Sequence, residues 1–241
     1  MKILSIGNSF SQDAHRYIHS IAKHDGVDIY TLNLNIGGCS LERHHKNMTE
    51  DNKAYDTEIN GVATGETTSI KEAVLSNDWD LISLQQVSSL SFDYSTYTPY
   101  IKDLFNYVKS LCPNAKIVLH QTWAYEDGSE LLFNTAHCNT AEEMYSAAKS
   151  CYYKCLEALP FDGIIPSGDA MIESVRLGIG KIHRDTFHAS FGAGRYMVGL
   201  VWYKYLTGND ITNNTFADLD EPITDEQRKI VIEAANKALN K

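Results

Sequence analysis

The sequence predicts an α/β fold organised around a parallel, layered sheet, and three features predict it. Short apolar runs alternate with segments of helical periodicity along the chain, the order that yields βαβ units and parallel strands. The first unit, Ile3 to Gly26, is a strand that breaks at Gly7-Asn8-Ser9 and turns straight into a helix. No repeat, low-complexity tract or linker interrupts the 241 residues, so 1–241 reads as one domain long enough to bury a large core.

In order, Ile3 to Ile6 is an apolar run fit for a buried strand, followed by Ala14, Tyr17, Ile18, Ile21 and Ala22 at helical spacing, with Gly26 closing the helix. Ser9 lies in the turn between them. Its hydroxyl is placed either as a nucleophile beside the positive helix end or, with Ser11, as a helix cap. Ile29 to Ile36 alternates as a second strand and ends in Gly37-Gly38-Cys39-Ser40, where two glycines allow close backbone approach to a ligand or simply a tight turn. Ser40 caps a short helix through Met48. Residues 53–59 and 62–68 flank Asn60-Gly61, a hairpin signal, and read as an insertion near the carboxyl edge of the sheet, with a role as a flap over the site left open. Ser69 with Glu72 boxes the next helix.

Trp79 to Gln86 is a third core strand whose end carries two amides, Gln85 and Gln86; buried amides need partners, from local backbone or from a ligand. A helix over 97–111 leads to a fourth strand, 116–121. Trp123 and Tyr125 follow it, placed to stack on a sugar ring or to pack the loop. Residues 127–139 read as a polar loop, 140–159 as a long helix, 162–166 as a fifth strand and 170–177 as a helix. A helix over 190–206 carries Gly192, Gly194 and Gly199 for close packing on the sheet, and Thr224 with Gln227 boxes the last helix.

The formal net charge of −10 argues against a nucleic-acid partner and leaves neutral substrates open. No run of 18 apolar residues spans a membrane, and the first residues already read as a core strand rather than a signal peptide. Five scattered cysteines fit free thiols better than a disulfide framework. The expected compartment is cytoplasmic, or secreted if a segment upstream of Met1 supplies a signal. His15 and His19 have metal-ligand spacing without the rest of a metal motif, His44-His45 cannot share one ligand, and Cys151 with Cys155 reads as packing.

Open α/β sheets bind ligands beyond the carboxyl ends of their strands, so Ser9, Gly38 and Gln86 are expected to converge. Asp185 and His188, three apart before a helix, supply a base and its orienter: the carboxylate reaches Nδ1–H and leaves Nε2 free.

These residues resemble the SGNH (GDSL-like) hydrolase superfamily. Gly7-Asn8-Ser9 with Phe10-Ser11 is similar to its first block, usually Gly-Asp-Ser; Gly38 matches the glycine of the second, and Asp185-Thr186-Phe187-His188 matches Asp-x-x-His. The phrases Gly-Gly-Cys-Ser-Leu-Glu-Arg-His, Leu-Gln-Gln-Val-Ser and His-Gln-Thr-Trp-Ala-Tyr-Glu resemble a bacterial branch of it, and the likeness spans nearly the whole chain. It implies a flavodoxin-like α/β/α sandwich with a five-stranded parallel sheet and serine esterase chemistry, often carbohydrate deacetylation, with no metal or organic cofactor. By position, Ser9 is then the nucleophile and an oxyanion donor, Gly38 a second donor, His188 the base and Asp185 its orienter. The third block departs: where the family has Gly-x-Asn-Asp, this strand end reads Gln85-Gln86-Val87, and Gln86, with Gln85 as second choice, is expected to donate to the oxyanion. Asn8 replaces the family aspartate, and Thr186 stands where many relatives have glycine. The expected substrate is a small or carbohydrate acyl ester. A non-catalytic sugar- or anion-binding module and a lipase- or thioesterase-like hydrolase are the alternatives, and oligomeric state is left open.

Overall fold

The computed structural model describes residues 1–240. Its sheet is built from β1 (Lys2–Gly7), β2 (Tyr30–Asn35), β3 (Tyr55–Ile59), β4 (Val62–Thr68), β5 (Leu81–Leu84), β6 (Lys116–His120) and β7 (Ile164–Ile165), in the order β4-β3-β2-β1-β5-β6-β7. The five strands from β2 to β7 in that order run parallel, as expected, and the hairpin raises the count to seven.

Helices cover both faces because the strands are apolar on both, as parallel strands require. On one face α1 (Ser9–His24), α7 (Ser167–Arg176), α8 (Ala193–Thr207) and α9 (Asp225–Leu239) enclose a core of Ile3, Tyr17, Ile18, Met197, Trp202 and Val231. On the other, α2 (Leu41–Thr49), α3 (Ile70–Leu75), α4 (Tyr100–Leu111) and α6 (Ala141–Ala158) enclose Leu4, Ile6, Leu34, Ile82, Leu104 and Tyr152. The result is a three-layer α/β/α sandwich. The stretch read as a polar loop contains a short helix, α5 (Glu130–Asn134), capped by Ser129 and buried through Leu132. Gly199 serves α1 rather than the sheet: a Cβ there would lie 3.0 Å from Ile21 Cδ1 and 3.5 Å from Tyr17 Cβ.

The β3–β4 hairpin is not a flap. β3 pairs antiparallel with β2, Leu32 opposite Ile59 and Asn35 opposite Asp56, so the hairpin extends the sheet. Its Asn60-Gly61 turn, both residues at positive φ, lies beside Thr31 near the amino end of β2. The tip therefore points away from the carboxyl edge.

Candidate active site

β1 delivers the chain to the carboxyl edge of the sheet, and Asn8 there takes the cap of α1. Its Oδ1 accepts from Phe10 N–H at 3.1 Å, while Ser11 Oγ accepts from Asn8 N–H at 3.1 Å. Neither Ser9 nor Ser11 caps the helix with its own position; Asn8 does. Ser9, the first residue of the helix, thus keeps its hydroxyl free for another partner, and its N–H belongs to the unpaired donors of the positive helix end.

That partner is His188. Ser9 Oγ stands 2.8 Å from His188 Nε2, and His188 Nδ1 stands 2.8 Å from Asp185 Oδ2. Asp185 Oδ1 also accepts from His188 N–H at 2.9 Å, which closes the four-residue turn. A carboxylate facing Nδ1 makes that nitrogen the donor, so Nε2 accepts from the serine. Partial burial raises the Asp185 carboxyl pKa, but the hydrogen bonds and charge of His188 outweigh it and hold the group below its ordinary value. Thr186, inside this turn, has φ +74°, a region β-branched residues avoid, so the turn is held by its surroundings. Glu126 N–H donates to Thr186 O at 2.8 Å, and Trp123 Nε1–H to Phe187 O at 2.7 Å.

A buried clamp fixes the turn to α1. Asp13, one helical turn beyond Ser9 and fully buried, accepts from Arg184 Nη1 at 2.8 Å, Arg195 Nε at 2.8 Å and Ala189 N–H at 3.0 Å. Sequence reasoning missed this group, because Arg184 and Arg195 lie 171 and 182 residues away and no local pattern links them.

Gly38 sits exposed at φ +64°, in the left-handed region that favours glycine. Among the described residues neither its N–H nor that of Ser9 has a hydrogen-bond partner. The loop is tied to the Ser9 turn by Asn8 Nδ2–H, which donates to Cys39 O at 3.1 Å.

The expected carboxamide donor is corrected. Gln86 is fully buried, and its Nε2 donates to Thr96 O and Oγ1 at 3.0 and 3.1 Å while its Oε1 accepts from Leu41 and Val87 N–H, both at 2.9 Å. The amide joins α2 to the 94–96 turn and is not turned to Ser9. Gln85 Nε2 donates to Asn8 Oδ1 at 2.6 Å, so the second choice reaches the site through Asn8. Trp123 and Tyr125 are corrected too, being buried and offering no face to a sugar. Trp123 stacks on Phe10 with centroids 4.1 Å apart, and Tyr125 Oη pairs with Ser88 Oγ at 3.2 Å. Half-buried beside His188 is Phe187, whose ring centroid lies 3.8 Å from that of His188.

The other histidines have separate tasks. His15 Nε2 meets Ser5 Oγ at 2.6 Å, His19 Nδ1 meets Ile29 O, His44 Nδ1 meets Tyr55 Oη and His45 Nε2 meets Asp103. Cys151 and Cys155 are buried in the core beside Tyr152.

The layered sheet, with a serine at the end of its first strand and an Asp-x-x-His turn facing it, defines a chain of the SGNH-hydrolase fold. A protein from Slackia heliotrinireducens named as a candidate SGNH hydrolase superposes with a TM-score of 0.60 at 18% identity, over 86% of this chain and 98% of that one. A family 3 carbohydrate esterase from Clostridium thermocellum gives 0.54 at 10% identity, over 85% and 94%. A variant of an acetyl-xylooligosaccharide esterase from Geobacillus gives 0.53 at 15%, over 86% and 94%.

More particularly, the chain belongs to the family DUF4886, a domain of unknown function, whose model matches residues 2–238. A family member from Bacteroides uniformis has a crystal structure similar to it, with a TM-score of 0.92 and 32% identity over 100% of this chain and 95% of that one. No curated protein sequence matches it.

Proposed function

We propose that the chain is a serine esterase that hydrolyses a small acyl ester, an O-acetyl group on a carbohydrate, with Ser9 as nucleophile, His188 as base and Asp185 as its orienter. The observation that carries this reading is the pair of 2.8 Å contacts joining Ser9 Oγ, His188 and Asp185 at the carboxyl edge of the sheet. His188 Nε2 takes the serine proton as Oγ attacks the ester carbonyl. The oxyanion of the tetrahedral intermediate is met by Ser9 N–H at the positive end of α1 and by Gly38 N–H of the loop after β2. Collapse breaks the bond to the leaving alkoxide, which receives the proton from His188. Water, deprotonated by the same histidine, then releases acetate and restores the serine.

The leaving alcohol meets His188 Nε2 and so passes the Phe187 ring, which offers an apolar face of the kind sugars stack on. The carbohydrate preference is supported by the fold shared with carbohydrate esterases. The experiment is hydrolysis of p-nitrophenyl acetate and acetylated xylo-oligosaccharides by the wild type and Ser9→Ala. Release of acetate from the oligosaccharide that disappears in Ser9→Ala is the expected result. Binding of the sugar without turnover would favour the non-catalytic module instead.

A further inference from the structure

Behind the nucleophile turn runs a chain of buried polar groups whose direction is set by chemistry. Asn8 Oδ1 must be an oxygen because it accepts from Phe10 N–H, and its other terminal atom must be nitrogen because it faces the Cys39 carbonyl. Gln85 then presents nitrogen to Asn8 Oδ1 and oxygen to His120 Nδ1, 2.7 Å away. His120, fully buried, is kept neutral by desolvation, its pKa pushed down to about 3; Nδ1 carries its proton and Nε2 accepts from Ser167 Oγ at 3.0 Å. Four hydrogen bonds therefore point one way: Ser167 to His120, His120 to Gln85, Gln85 to Asn8, Asn8 to Cys39 O. Bonds aligned in this manner polarise one another.

The last of them ends one residue past Gly38. We propose that Asn8 is a positioning residue that acts through Gly38: backed by Gln85 and His120, it holds the Gly38-Cys39 loop so that Gly38 N–H faces the oxyanion. The carboxamide at the end of β5 serves the oxyanion indirectly, through this loop. This rests on the esterase reading above. It also explains why asparagine stands where the superfamily's usual motif has aspartate. A carboxylate accepts from Phe10 N–H and from Gln85 equally well, but it has no hydrogen for Cys39 O and repels it.

The test is Asn8→Asp assayed with p-nitrophenyl acetate, with Ser9→Ala alongside. Aspartate ranks with asparagine as an N-cap and suits the positive helix end, so a mere capping role predicts unchanged kcat and an equal or higher Tm. The positioning role predicts a fall in kcat of about 10- to 100-fold with KM nearly unchanged and the fold retained. Gln85→Met, which removes the donor to Asn8, lowers kcat in the same sense. Wild-type kcat in Asn8→Asp, when the wild type turns over through Ser9, overturns the inference and leaves the esterase reading standing. No Ser9-dependent turnover in the wild type overturns both.

Discussion

Ser9 occupies the first position of α1, and the partner of its hydroxyl depends on its neighbour. Because Asn8 takes the cap, the serine hydroxyl is left to His188. Ser9→Ala or His188→Ala is expected to lower kcat by about 10⁴-fold or more, leaving the residual rate of binding and oxyanion stabilisation. Asp185→Asn, which disturbs the tautomer at a half-exposed carboxylate, should cost about 10²- to 10⁴-fold. Steady-state kinetics on one acetyl ester checks all three; an Asp185→Asn enzyme with wild-type kcat would remove the orienter from the mechanism. Gln86 has a different signature. Its amide satisfies two backbone N–H groups and Thr96, so Gln86→Leu strands buried polar groups and should destabilise the fold by about 2 kcal/mol while kcat changes little. A thermal melt read beside kcat separates the two effects.

At the scale of elements, α1 carries both halves of the site. Ser9 meets His188, and one turn on Asp13 meets Arg184, Arg195 and Ala189, so one helix face sets the distance between Ser9 and His188. Asp13→Ala leaves two largely buried guanidinium groups without their carboxylate and is expected to cost about 3 kcal/mol in denaturant unfolding. A loss below about 1 kcal/mol would mean that the clamp is not what seats the turn. The local elements around the site were legible because each has a local cause. Asn60-Gly61 announces a hairpin, Ser40, Ser69, Thr140 and Thr224 announce helix starts, and the Asp-x-x-His spacing announces the Asp185–His188 contact. What was not legible depended on direction and distance. The residues of β3 say that it is a strand but not that it adds to β2 with its turn at the far end. The dipeptide Gln85-Gln86 shows two buried amides but not where each points. Trp123 reads as a loop aromatic, and only the packed fold shows it stacked beneath the site on Phe10.

For the molecule as a whole, the buried histidines set the response to acid. Burial lowers the pKa of His15, His44 and His120 to about 3 and that of His183 to about 4, so all four are neutral in the folded state well below their ordinary 6.5. The unfolded chain protonates them first. Their stabilising effect is therefore complete above about pH 6.5 and is lost as pH falls toward the folded values, at about 2 kcal/mol per histidine by pH 5. Acid unfolding followed by circular dichroism should thus have its midpoint between about pH 4 and 6, with uptake of several protons. Retention of the fold at pH 3.5 would contradict the neutral, buried state of these groups.

The most direct test of the central claim is labelling of the wild-type protein with a fluorophosphonate, the adduct located by mass spectrometry and His188→Ala run beside it. An activated serine gives a single adduct on Ser9 that is lost when His188 is replaced. An adduct on another residue, or a Ser9 adduct that persists without His188, would contradict the assignment of Ser9 and His188 as nucleophile and base.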